Sequence, residues 1–373
     1  MAEDTSFKRH FDGASARQLG ERIRVVHPGF DVEGYAAEVA SRVGPLELKD
    51  RVLVMAEGLR DRLPQDYDEA VGILVESLHL RLGDDEDTFH DRYLLMPVAR
   101  FVEEYGTDHP QASFPALVGI TKRHTSEFAV RPFVRRHPGA TMALMRASAL
   151  DPDEHVRRFA SEGIRPRLPW ASHLAEFIAD PSPVLEVLEP LRSDPSAYVR
   201  TSVANNLNDI ARDHPDLVLE VAERWTRESP TPETGRIVKH ALRTLVKEGD
   251  PRALALLGAT GGEHVVAQGL TVSPHVLDLG GTLTLEVELT NTDTRAHTVV
   301  VDHVVHHVRA NGTRRPKVFK WTRVELAPGQ NRTLRKHHAV RPITTRTYHP
   351  GEHLVEVQVN GVIKASAGFE LRV

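Results

Sequence analysis

Two stretches of this chain set carboxylates and arginines at helical spacing. One runs "DPDEHVRRFASEGIRPRLPW" from Asp151; the other runs "DPSAYVRTSVANNLND" from Asp194. Each opens on Asp-Pro, a pair suited to capping and starting a helix. Each then enters Val-Arg and an apolar stripe. In the first, Arg158, Glu162 and Arg165 share a face beside Val156, Phe159 and Ala160. In the second, Tyr198, Ser202, Asn205 and Asp209 form a polar stripe next to Val199, Val203, Leu207 and Ile210, whose period is that of a helix facing a core. Two such helices, stacked, present arginines and a carboxylate on one wall. Taken singly, the residues have bland readings. Glu162 among arginines is a salt-bridge residue, and Glu127 with Arg131 is an ordinary i, i+4 pair. Asp209 is a helix-end hydrogen-bonding residue, and Trp170, Trp225 and Trp321 are packing anchors.

The elements that would position these residues are helical over the first two thirds of the 373-residue chain. "SARQLGERIRVV" places Leu19, Ile23 and Val26 on one side. "DVEGYAAEVASRV" follows an Asp cap, and "PLELKDRVLVMAEGLRDRL" begins with Pro45 at a helix start. "TSEFAVRPFVRRHP", "PGATMALMRASAL" and later units continue as helix pairs. A dipeptide recurs as Val130-Arg131, Val156-Arg157, Val199-Arg200 and Val238-Lys239, at separations of 26, 43 and 39 residues. The last two fall near the roughly 40–47 residues of HEAT-like repeats. Such pairs stack into a superhelix with a concave wall, and one basic residue per repeat would follow a charged polymer. The acidic run "GDDEDTFHD" lacks the Gly and Glu of a calcium loop and reads as a solvated turn.

At Gly258 the pattern changes. After "GATGGEH", period-2 alternation dominates in "TLTLEVELTN", "TVVVDHVVHHV", "KVFKWTRVEL", "HLVEVQVNG" and "SAGFELRV". About seven short strands with Gly, Asn and Pro turns predict an immunoglobulin-like β-sandwich. The expected fold is therefore mainly α: a HEAT-like helical-repeat solenoid over 1–258, then the sandwich over 263–373. His303, His306 and His307 invite a metal, but in an alternating strand they split between faces, so no metal site is assigned.

Bulk properties narrow the classes. The absence of cysteine excludes disulfides, thiolate nucleophiles and cysteine-ligated zinc. The first residues lack the apolar run of a signal peptide, and no apolar segment approaches the ~20 residues that span a bilayer. A soluble cytoplasmic protein is expected, without membrane contact. The net charge of −5 argues against nucleic acid, but residues 1–120 alone account for −10, whereas 121–262 carry +1 and 263–373 carry +4. Only the local field matters to a phosphate backbone.

The motifs "TSEFAVRPF", "RRFASEGIRPRLPWA" and "SVANNLNDIA", with "NGTRRPKVFKW" and "RPITTRTYHPGEH" in the sandwich, resemble the AlkC branch of the AlkC/AlkD-type DNA glycosylases, the HEAT-like repeat enzymes of alkylation repair. The resemblance covers nearly the whole chain. It implies hydrolysis of the N-glycosidic bond of a cationic methylated base, N3-methyladenine or N3-methylcytosine, without base flipping and without a cofactor. By motif position it implies that Glu127, Glu162 and Asp209 are the catalytic carboxylates and Trp170 the active-site aromatic. The partner would be double-stranded DNA containing alkylated bases, met by a monomer at the nucleoid.

That chemistry suits these residue types. A base alkylated at N3 is already cationic and leaves without a general acid. The barrier that remains is an oxocarbenium-like sugar, which a carboxylate stabilises while orienting water. Carboxylates beside phosphates are otherwise costly, so three on a DNA-facing wall argue for a cation between them. The indole of Trp170 would meet the sugar through its π face. With no lysine nucleophile in evidence, hydrolysis without a Schiff base is expected. Arg131, Arg157, Arg158, Arg165, Arg167, Arg200, Asn205 and Lys239 are expected at the DNA, and Arg314, Arg315, Lys317 and Lys320 in or beside a sandwich turn that enters a groove. The competing class is a non-enzymatic repeat scaffold binding nucleic acid or protein.

Overall fold

In the computed structural model, residues 7–78, 93–344 and 346–373 are described. Sixteen α-helices precede eight strands among them. The acidic run at 83–91 lies outside the described residues. The helices are α1 (Gly13–Val26), α2 (Val32–Arg42), α3 (Leu48–Arg62), α4 (Tyr67–Ser77), α5 (Met96–Tyr105), α6 (Pro110–Thr121), α7 (Arg131–Arg136) and α8 (Pro138–Ser148). They continue as α9 (Glu154–Glu162), α10 (Ala175–Ala179), α11 (Ser182–Leu188), α12 (Ala197–Ile210), α13 (Pro215–Glu228), α14 (Pro232–Ala241), α15 (Arg243–Glu248) and α16 (Pro251–Leu256). Among the described residues no helix is long and apolar enough to cross a membrane.

The helix ends follow local chemistry, at positions that differ from the expected ones by a few residues. Asp31 caps α2 by accepting from the Gly34 amide, as its position predicts. Pro45 lies in a turn, and α3 starts only at Leu48. In both Asp-Pro units the aspartate is not the cap. Asp151 accepts from the Asp153 amide at 2.8 Å, and Asp153 then caps α9; Asp194 accepts from Ser196 at 2.8 Å, and Ser196 then caps α12. The aspartate makes a side-chain turn, and the helix begins one step later.

The apolar stripes point inward as their spacing requires. Val156, Phe159 and Ala160 of α9 are fully buried, as are Val199 and Val203 of α12, with Leu207 and Ile210 nearly so; the two helices pack on each other. Trp225 and Trp321 are buried.

The strands form two sheets. One has the order β1 (Val265–Ser273), β3 (Thr282–Asn291), β6 (Asn331–Ala339). The other has the order β2 (Val276–Asp278), β8 (Val362–Arg372), β7 (Gly351–Val359), β4 (His297–Val308), β5 (Arg314–Leu326). Alternate residues of β3 (Leu283, Leu285, Val287 and Leu289) meet Val299, Val301 and Val305 of β4 and Val355, Val357 and Val359 of β7 in one core. The eighth strand, three-residue β2, has too short a run for alternation to announce it.

The chain gathers into two compact units. One comprises the residues up to Asp213 together with Glu228–Val238; the other comprises His214–Arg227 and Lys239–Val373. Strands begin at Val265, but the second unit also includes nearly all of α13 and all of α15 and α16. Its close approach at Gly249 explains part of this grouping. A Cβ there would lie 2.8 Å from the Gly361 Cα, and both glycines have positive φ, a combination only glycine accepts without strain.

Candidate active site

Glu127, Glu162 and Asp209 come together, joined by two arginines. Glu162, the last residue of α9, receives Arg165 Nη1 on Oε1 at 2.7 Å, with Arg158 Nη2 3.5 Å from the same oxygen. Arg165 also donates through Nε to Asp209 Oδ2 at 2.9 Å, and Arg158 donates to Glu127 Oε2. The order is Glu127, Arg158, Glu162, Arg165, Asp209: alternating charges with one net negative. The carboxylates are 8%, 6% and 5% exposed, respectively. Hydroxyls complete the ladder. Ser202 donates to Glu162 Oε2 at 2.6 Å and Thr125 to Glu127 Oε2 at 2.8 Å. Burial pushes the Asp209 carboxyl above its ordinary value, opposed by the hydrogen bond from Arg165. The carboxylates around Arg165 hold its guanidinium firmly protonated despite its burial.

The local backbone explains why these groups meet. Pro132 suits the first turn of a helix, where its missing N–H costs nothing, so α7 begins at Arg131 and residues 127–130 form a turn. Glu127 is thereby off any helix, and the expected i, i+4 pair with Arg131 is replaced by the contact with Arg158. Likewise α9 stops at Glu162, with Pro166 a few residues on, because a proline excludes helix from the residue before it. Arg165 and Arg167 therefore lie in the following loop rather than on a helix face.

That loop carries Trp170, which is 76% exposed with φ +66. A bulky residue in the left-handed region is strained and persists where its surroundings impose it. Here the surroundings are arginines and a lysine. Arg131, buried, donates to the carbonyls of Gly163 at 3.0 Å, Arg165 at 2.9 Å and Ser172 at 2.8 Å. Arg135 donates to Ser172 Oγ at 2.9 Å and to the His173 carbonyl at 3.1 Å, and Lys49 donates to the Trp170 carbonyl. Burial pulls the Arg131 guanidinium down to about 10, still cationic at neutral pH. A cavity of about 610 Å³ opens here, with Glu127, Glu162, Arg165, Trp170, Lys49 and His124 on its wall. Burial lowers His124 to about 4, so it is neutral.

The arginines expected at phosphates have protein partners. Arg131, buried, braces the Trp170 loop. Arg157 donates to the Asp151 and Pro152 carbonyls at 3.0 and 2.8 Å, and Arg200 repeats this on Asp194 and Pro195 at 2.8 and 2.7 Å. Arg157 also forks onto Asp194 of the next repeat, at 2.6 and 3.2 Å. In the units at Asp151 and Asp194 the Val-Arg dipeptide thus closes the Asp-Pro turn, and in Arg157 it also links neighbouring repeats. Arg158 and Arg165 belong to the carboxylate ladder, and Arg167 pairs with Asp213 at 3.0 Å. Asn205 is half-buried on α12 and Lys239 is exposed on α14. In the sandwich, Arg314, Arg315, Lys317 and Lys320 are exposed along β5, the edge strand, with Arg314 paired to Glu352 at 2.9 Å. They lie on the strand that directly follows the turn, and so beside it.

Sequence spacing gave no sign of Arg135, Lys49 or Thr125 at this site. Only Ser202 lay on a stripe already marked as polar. Of the three strand histidines, His303 and His307 are buried and His306 bonds Glu356 at 2.7 Å.

Residues 266–373 match the family described as the C-terminal Ig-like domain of the uncharacterised protein YhaZ. The chain is 37% identical over 355 residues to the uncharacterized protein YhaZ of Bacillus subtilis (strain 168), covering 95% of this chain and 96% of that one. Among solved structures it is similar to the Pseudomonas fluorescens alkylpurine DNA glycosylase AlkC bound to DNA containing an abasic site analog. The identity is 37%, the TM-score 0.89, and the coverage 98% of this chain and 99% of the other.

Proposed function

The chain belongs to the AlkC-type family of alkylation-repair DNA glycosylases, and from that premise we propose that it hydrolyses the N-glycosidic bond of cationic N3-alkylated bases, N3-methyladenine and N3-methylcytosine, in double-stranded DNA. The observation that carries this reading is the convergence of Glu127, Glu162 and Asp209 through Arg158 and Arg165, next to a strained, solvent-facing Trp170.

The departing base takes the bonding electron pair and becomes neutral, so no proton donor is required of the protein. Positive charge grows on the sugar. Buried carboxylates already oriented by guanidinium groups stabilise it without reorganising. Water adds to the sugar carbon and loses its proton to a carboxylate or to solvent, leaving an abasic site. Arg165 opposes the effect of burial on the Asp209 carboxyl through its hydrogen bond. Trp170 offers its ring face to the deoxyribose, with the base left in the duplex. Lys49 stands on the cavity wall, but its ammonium is engaged by the Trp170 carbonyl, so the reaction is hydrolysis without a Schiff base. The enzyme acts as a cytoplasmic monomer at the nucleoid.

The test is release of methylated bases from methylated duplex DNA. Wild type releases them and gives no borohydride-trapped adduct. Glu162→Gln and Asp209→Asn each lose about 10²-fold or more in rate, on the scale of removing one transition-state electrostatic partner, while DNA binding persists. Wild-type rates in both variants refute the site, and no release by wild type leaves only a repeat scaffold.

A further inference from the structure

In the sandwich unit, two imidazoles and a carboxylate converge. His264 ends a single 3-10 turn, Gly262–His264, just before β1; Asp293 lies in the β3–β4 connection; His297 opens β4. One ligand atom from each lies within 4.8 Å of the others. Asp293 Oδ2 is 2.7 Å from His297 Nε2 and 3.8 Å from His264 Nε2, and the rings lie 5.4 Å apart and nearly parallel, at 18°.

The surroundings hold these groups in place. Asp293 Oδ1 is occupied by the Thr294 amide at 2.7 Å, which turns Oδ2 to the histidines. The His264 carbonyl accepts from both the amide and the hydroxyl of Thr292, at 2.9 and 2.8 Å. Asn291, fully buried, fixes the loop base by donating to the carbonyls of Arg295, Leu326 and Ala327. Gly261 makes room for His297: a Cβ there would stand 2.0 Å from Nδ1, and φ is +73.

A simple hydrogen-bonded pair accounts for His297 and Asp293 but not for His264, whose Nε2 faces the same oxygen beyond hydrogen-bond reach. Donors around a tetrahedral ion at zinc bond lengths lie about 3.3 Å apart, between the two separations seen here. Glu263 Oε1 lies 3.6 Å from His264 Nε2 but is not among the ligand atoms that lie within 4.8 Å of one another. Arg295 Nε sits 3.7 Å from Asp293 Oδ2, but its side chain is largely exposed and can turn away. We propose that His264, Asp293 and His297 form a three-residue binding site for a divalent transition ion of the zinc class, which clips the turn before β1 to the β3–β4 loop. Two imidazoles with a carboxylate select such an ion over magnesium or calcium.

The test uses the full chain, freed of metal by chelator and titrated with zinc against a chromophoric competitor, and with cobalt for its ligand-field absorption. Wild type should bind one equivalent saturably, show the visible bands of nitrogen and oxygen ligation, and melt at a higher temperature with zinc than without, since a ligand bound only to the folded state stabilises it. His264→Ala, at a half-exposed position, and Asp293→Asn should bind at least 10-fold more weakly with unchanged circular dichroism. His297→Ala extends the set if it folds. No saturable equivalent in wild type, or equal affinity in wild type and His264→Ala, overturns the proposal.

Discussion

Arg165 holds Glu162 at 2.7 Å and Asp209 at 2.9 Å, while Arg158 holds Glu127 and lies 3.5 Å from Glu162. Because each guanidinium serves two acids, neutralising one acid still leaves each arginine a carboxylate. An uncompensated buried charge would cost on the order of 3–5 kcal/mol; Glu162→Gln and Asp209→Asn avoid creating one. We expect both to melt within a few degrees of wild type, so that lost base release reports chemistry rather than unfolding, and differential scanning calorimetry checks this. Asp209 also sets a pH dependence. Burial raises its pKa above the usual aspartate value, so its proton is taken up earlier as pH falls. If the ionised form stabilises the sugar cation, kcat falls through that raised pKa, and the acid limb lies above the range of an exposed aspartate. The residual rate of Asp209→Asn should show this limb moved to lower pH. A limb unchanged in the variant assigns it to another group.

The loop from Gly163 to His173 is where element-level reading from sequence failed and why. Helix existence and inward faces were legible, because Val156, Phe159, Val199 and Val203 obey a period that burial enforces. Strand alternation in β3 and β7 was legible for the same reason. The family motifs also brought Glu127, Glu162 and Asp209 to notice, although no periodicity joins a turn, a helix end and a second helix. The arginine partners were not legible. Arg131 bonds carbonyls 32, 34 and 41 residues away, and main-chain acceptors leave no mark in residue identity. An arginine at a phosphate and an arginine inside a loop read alike. Arg131→Lys tests the bracing role: an ammonium cannot span three carbonyls as a planar fork does. We expect a lower melting temperature together with a lower kcat, as Trp170 loses its fixed position, and DNA affinity reduced far less than by loss of a phosphate contact. The sandwich has an element-scale weakness of its own. Burial holds His303 and His307 down to about 3 and also lowers His338 and His353. The unfolded chain takes up these protons near pH 6.5 and the folded one only well below, so stability is full above that pH and falls as pH drops beneath it. Melting temperatures from pH 7.5 to 5 should decline, less steeply in His307→Gln.

For the molecule as a whole, charge is distributed unevenly: −10 over residues 1–120 and +4 over 263–373. An acidic first third repels DNA, so productive binding needs positive charge elsewhere, and most helical arginines near the ladder are already committed to protein partners. Along β5, Lys317 and Lys320 are exposed beside Pro316 on an edge strand. Two explanations compete. Lysine and proline on an edge discourage pairing with another chain's strand, which needs no DNA. Alternatively, the lysines contact phosphates, releasing counterions on binding. The double substitution Lys317→Glu and Lys320→Glu separates these. If the lysines meet phosphates, the slope of log affinity against log salt becomes shallower by about 2, roughly one per lost contact, and affinity falls at low salt regardless of sequence. If they guard the edge only, the slope is unchanged, since glutamate blunts an edge as lysine does. Arg314, tied to Glu352 at 2.9 Å, should contribute less to the slope than either lysine, so Arg314→Ala serves as the internal reference in the same titrations.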